Sequence, residues 1–66
     1  MKLKEILNDW EKTFKGAVDT YEFNNDTELI EYMIDNLKEK IRYIFTQKED
    51  RVLYKEFLNR FLELNK

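Results

Sequence analysis

Apolar residues recur along this chain at alternating intervals of three and four. Leu3, Leu7, Trp10, Phe14, Ala17 and Tyr21 form one set, Ile30, Ile34, Leu37, Ile41 and Ile44 a second, and Tyr54, Phe57, Phe61 and Leu64 a third. Such spacing places each set on one face of an α-helix. Three amphipathic helices in 66 residues predict an all-α fold, a small antiparallel three-helix bundle. The alternative is a helical hairpin whose broad third helix completes a bundle by dimerising.

The first helix begins near Lys2, and with Ile6 and Val18 its apolar arc covers roughly 120°. Trp10, in mid-stripe between Leu7 and Phe14, is its expected core anchor. Gly16 interrupts it. Because Ala17 and Tyr21 keep the register, the preferred reading runs the helix through Gly16 to about Glu22, at a cost of about 1 kcal/mol. The other reading ends it at Lys15 with Gly16 as the cap and leaves 18–23 as an extended connector. Asn24-Asn25-Asp26 marks a clear break. Asn25 with Glu28 matches a capping box, Asp26 being the alternative cap, and the second helix should then run to about Phe45. Thr46-x-x-Glu49 is a second capping-box match, which starts the third helix near Gln47 and lets it fray by Asn65. Two short connections would make successive helices antiparallel neighbours. Nothing divides residues 1–66, so one helical domain is expected.

The third helix is broader than the first. Leu53, Tyr54, Phe57, Leu58, Phe61, Leu62 and Leu64 cover roughly 180° of its surface, more than two neighbouring helices require. Tyr54, Leu58 and Leu62 are therefore candidates for an oligomer seam, the plainer alternative being that they are simply core.

A chain this short builds only one core, with about 3–5 kcal/mol of net stability unless something staples it. The sequence contains no His, Cys, Ser or Pro. Disulfides and structural zinc sites are thereby excluded, and so are the usual nucleophiles and bases of covalent catalysis. Gly16 stands alone, so no Gly-rich loop can cradle a phosphate. Read as a calcium loop, Asp19–Glu31 puts Tyr21 and Phe23 where ligands belong and Asn24 where the turn glycine belongs. A di-iron site fails for want of any Glu-x-x-His. The chain reads as a non-enzyme without a cofactor.

A net charge of −2 argues against general nucleic-acid binding. The one nucleic-acid alternative is a small helix-turn-helix regulator reading DNA through Lys48, Arg51, Lys55, Asn59 and Arg60, but Glu49, Asp50, Glu56 and Glu63 share that helix. No run has the length of a membrane span. The charged first residues do not resemble a signal peptide, so a cytoplasmic protein is expected.

The charges are segregated. Between Gly16 and Leu37 stand six acids (Asp19, Glu22, Asp26, Glu28, Glu31 and Asp35) and no Lys or Arg. Asp26, Glu28 and Glu31 suit the positive end of the second helix, while the others have no such explanation. Beside the core edge formed by Leu29 and Met33 runs a stripe of Tyr32, Asn36, Glu39 and Tyr43. Tyrosines at such positions are common anchors of protein interfaces. Glu28, Glu31, Tyr32, Asp35, Asn36, Glu39 and Tyr43 are thus the candidate partner-binding residues, facing a basic surface patch.

Nine Lys against three Arg, with six Asn and a single Ala, suggest a low-GC bacterium or its phages. The function these features support is a protein-binding module, a small accessory inhibitor or regulator of a larger host protein, of phage or anti-defence type. The alternatives are the DNA regulator and a structural homo-oligomer.

Overall fold

The computed structural model describes residues 2–16 and 22–65. It is an all-α three-helix bundle: α1 (Lys2–Phe14), α2 (Asp26–Arg42) and α3 (Lys48–Leu64). The central helix is α3, which packs most extensively against α2 and less so against α1. Its two phenylalanines, Phe57 and Phe61, meet Leu29, Ile30, Met33, Ile34 and Leu37 of α2 and Leu3 and Ile6 of α1 in one apolar core. Phe61 and Leu37 have no exposed surface at all. No polar or charged side chain is buried among the described residues. The core is therefore held by apolar burial, at about 25 cal/mol for each Å² removed from water.

Helix α1 ends at Phe14, eight residues before the preferred sequence reading would stop it. The residue that turns the chain is Lys15, at φ 56°, whereas Gly16 does not adopt positive φ. A heptad match at Ala17 and Tyr21 is thus no guarantee of helix, and the capping reading has the right place but the wrong residue. Ala17, Val18, Asp19, Thr20 and Tyr21 lie outside the described residues. The early stop also changes the helix directions. Asp9 pairs with Arg60 at 2.9 Å, and Phe14 stacks on Tyr54, so α1 runs antiparallel to α3. Leu3 and Leu7 border Leu29 near the start of α2, while Trp10 lies under Lys40 near its end. Consequently α1 and α2 share a direction. The short connection that would have made them antiparallel required α1 to reach Glu22.

Trp10 is half-buried, not the core anchor of α1; Leu3 and Ile6 fill that role. Its ring sits at the margin, 4.5 Å from Phe14 and 5.2 Å from Phe57, with the Lys40 ammonium 5.9 Å from its centre. In α2, Leu29 and Met33 belong to the core itself and not to its edge.

The start of α2 follows the sequence reading closely. Asn25 Oδ1 accepts the Glu28 backbone N–H at 2.9 Å, and Glu28 Oε2 accepts the Asn24 N–H at 3.1 Å. The return bond reaches one residue further back than in the usual capping box. At its other end α2 stops at Arg42, short of Phe45, with Tyr43 in extended geometry as the C-cap. Ile44, placed by periodicity in the apolar stripe, is 81% exposed.

Two sets of variants test these assignments. Lys15→Gly should stabilise the protein by about 1 kcal/mol, because glycine occupies the left-handed region without a Cβ penalty. Gly16→Ala should also stabilise, by about 0.4–1 kcal/mol: among the described residues a Cβ there meets only the Phe14 carbonyl oxygen, at 3.9 Å. Thermal melts showing Gly16→Ala strongly destabilised would assign the left-handed position to the glycine instead. In the core, Phe61→Ala should cost about 3–5 kcal/mol and leave the chain unfolded. Trp10→Ala, at a half-buried site, should cost less, about 2 kcal/mol. Denaturant titration of both checks the order.

Candidate protein-binding surface

Five of the acidic side chains between Glu22 and Glu39 fall into two groups. Glu22, Asp26 and Glu28 are exposed around the start of α2. There the helix N-terminus favours negative charge, and Glu28 is engaged with both the backbone N–H and the side-chain amide of Asn24. Asp35 and Glu39 lie further along, on the outer face of α2. Together with Tyr32 and Asn36 they line a shallow, open hollow of about 290 Å³. Tyr32 is 51% exposed, and its ring is propped by Phe23, centroid to centroid 5.2 Å. An exposed aromatic ring fixed by a neighbour, with two carboxylates one and two turns away, suits a cationic side chain laid across it.

Four of the seven residues proposed from sequence are therefore brought together: Tyr32, Asp35, Asn36 and Glu39. Glu31 is exposed but does not line the hollow. Glu28 belongs to the helix cap. Tyr43 leaves the stripe because the helix has ended; its ring lies edge-on to Phe45 at 5.5 Å.

Of the three seam residues, Tyr54 is packed between α1 and α2, 5.2 Å from Phe14, with the Lys40 ammonium 5.3 Å from its ring centre. Leu58 is half-buried against the core, and Leu62 is exposed. Two of the five basic or amide residues considered for DNA contact have structural partners. Arg60 pairs with Asp9 and lies over Phe57, and Arg51 binds the α2–α3 turn.

That turn is the surface feature the sequence did not disclose. The Thr46 N–H donates to the Tyr43 carbonyl at 3.2 Å, closing a turn with Ile44 and Phe45 at its centre. Thr46 Oγ1 donates to the Lys40 carbonyl at 2.7 Å, so this threonine ties the turn to α2 and does not cap α3. Gln47 is the α3 N-cap, and it makes no side-chain cap bond. Arg51 Nη2 donates to the carbonyls of Tyr43 and Thr46 at 3.1 and 3.3 Å. Ile44 satisfies the heptad spacing of α2, so periodicity draws it into the helix. The only signal against that reading would have been the pairing of Arg51 with a turn eight residues away.

Among the described residues no group of three or more acidic side chains could hold a metal ion. No helix there is long and apolar enough to cross a membrane. Comparison with protein-family models, with curated proteins and with solved structures finds no match to this chain.

The role of Thr46 separates the two capping schemes. Thr46→Val should lower stability by about 1 kcal/mol through loss of the bond to Lys40, while Glu49→Ala should cost less, about 0.3–0.5 kcal/mol for its charge in the first turn of α3. Equal losses in the two variants, measured by urea unfolding, would restore the Thr46–Glu49 box.

Proposed function

We propose that this chain is a non-enzymatic protein-binding module that docks a basic surface of a larger protein on the outer face of α2. The observation that carries this reading is the convergence of Tyr32, Asp35, Asn36 and Glu39 on one exposed hollow. The chain from Gly16 to Leu37 contains no Lys or Arg, and of the two lysines that flank Glu39, Lys40 is directed to the rings of Trp10 and Tyr54. Carboxylates of one sign steer encounter, and a propped tyrosine offers area at small entropic loss. The partner's matching feature is an Arg or Lys whose stem lies on Tyr32 while its head reaches Asp35 or Glu39. An inhibitor or regulator encoded by a phage or mobile element, acting in the cytoplasm of a low-GC host, fits the Lys-rich, Ala-poor composition. Such a protein acts by occluding or holding its target, which needs a surface and no catalytic group.

Capture from a low-GC bacterial lysate with tagged protein, followed by mass spectrometry, supplies the partner for a kinetic test. Reversing Asp35 and Glu39 to Lys should slow association and flatten its salt dependence. Tyr32→Ala should leave association unchanged and speed dissociation about fivefold or more, equivalent to about 1 kcal/mol. Folded variants of both kinds binding with wild-type rates would remove α2 from the interface.

A further inference from the structure

The three helices are not held equally. In α1 the buried side chains are Leu3 and Ile6, both in its first half, and every side chain from position 7 to 14 is half-buried or exposed. Helix α2 instead commits five side chains along its length, Leu29 to Leu37, to the core it shares with Phe57 and Phe61 of α3.

Open hollows border α1 on both sides. Toward α2, one of about 380 Å³ reaches in to Leu3 and Leu7. Toward α3, one of about 290 Å³ touches Ile6 and another of about 410 Å³ touches Phe57. Water therefore comes up to the edges of the contact, where an unfilled gap forfeits dispersion attraction. The polar ties of α1 include the half-exposed Asp9–Arg60 pair and the Lys40 ammonium over Trp10. Contacts of both kinds are weak at a wet margin. The α2–α3 turn, by contrast, is closed by Thr46 and Arg51 through bonds that involve no residue of α1.

We propose that α1 is a lid, which swings off α2 and α3 as one unit while those two helices stay paired. Its hinge follows Phe14, where left-handed Lys15 is succeeded by a glycine, the residue with the freest backbone. Opening uncovers the Phe57 ring, against which Trp10 and Phe14 lie at 5.2 and 5.7 Å, and frees the apolar stripe of α1 with it. A binder that selects this surface shifts the population toward the open form. The lid uses none of the residues in the α2 hollow and is independent of the proposed function.

Native-state hydrogen exchange of the full chain, followed by NMR at rising sub-denaturing urea, tests the proposal. Amides 7–14 should exchange as a group, on the order of tenfold faster than amides 33–37 and 57–61 once intrinsic rates are removed. Their rates should rise with urea, at a slope below that of global unfolding, because only part of the surface is exposed. Thr46→Val is the discriminating variant, since it weakens the α2–α3 pair in the closed and open forms alike. Exchange in α2 and α3 should quicken about fivefold, while exchange in α1 keeps its wild-type rate. Asn25→Ala, which removes the cap of α2, should give the same split from the other end of that helix. All three helices quickening by one factor would mean that α1 opens only in global unfolding, and overturns the proposal. Exchange in α1 that ignores urea and is graded from the helix ends also overturns it, because that pattern is fraying.

Discussion

Everything in this fold hangs on the seam between α2 and α3, where Leu37 and Phe61 are withdrawn completely from water. A chain of 66 residues without cysteine or histidine has no disulfide or zinc to compensate for a loosened core. Its net stability is a small remainder between apolar burial and chain entropy. The buried set is wholly apolar among the described residues, so no buried polar network specifies the packing. Helix direction and register must then come from shape and from the chain's ends and turns. The polar interactions of the structure are concentrated at those places.

The two helix junctions next to α2 solve that problem differently. At its start the solution is local: Asn25 and Glu28, three residues apart, satisfy backbone donors that no intrahelical carbonyl can reach. At its end the solution is tertiary. The last carbonyls of α2 and the turn receive a hydroxyl from Thr46 and a guanidinium from Arg51, which belongs to the next helix. A charged donor shared between two carbonyls is stronger than a neutral one. It can therefore halt a helix whose apolar pattern would carry it onward, and it leaves Ile44 and Phe45 in solvent as a by-product of where the helix stops.

Helix α1 is the more loosely integrated element. It reaches the core through Leu3 and Ile6, while Trp10 and Phe14 build an aromatic margin with Tyr54 and Phe57, covered by the Lys40 ammonium. A cation over an aromatic face adds attraction even at a partly wet site. The Asp9–Arg60 pair, both side chains about half exposed, sets the facing of α1 on α3 more than it contributes energy. The left-handed Lys15 is the counterpart of this arrangement: the chain leaves α1 early, through a left-handed residue just past the helix that is more often glycine.

By itself the sequence determined the helical class, the number of helices, the core residues Leu3, Ile30, Ile34, Leu37, Phe57 and Phe61, and the cap that opens α2. These follow from interactions within one helical turn or from a repeat of 3.6, and both are written in neighbouring residues. It also placed Tyr32, Asn36 and Glu39 on one outer stripe of α2, since positions three and four apart on a helix must share a face. The tertiary structure alone decided where α1 and α2 end, which way α1 runs, and that Tyr43, Ile44 and Phe45 stand outside the helix. The end of α2 and the direction of α1 turn on groups distant in sequence, Arg51 on Tyr43 and Arg60 on Asp9. Periodicity cannot register such pairs, because it measures which face a residue would occupy if the helix continued, not whether it does.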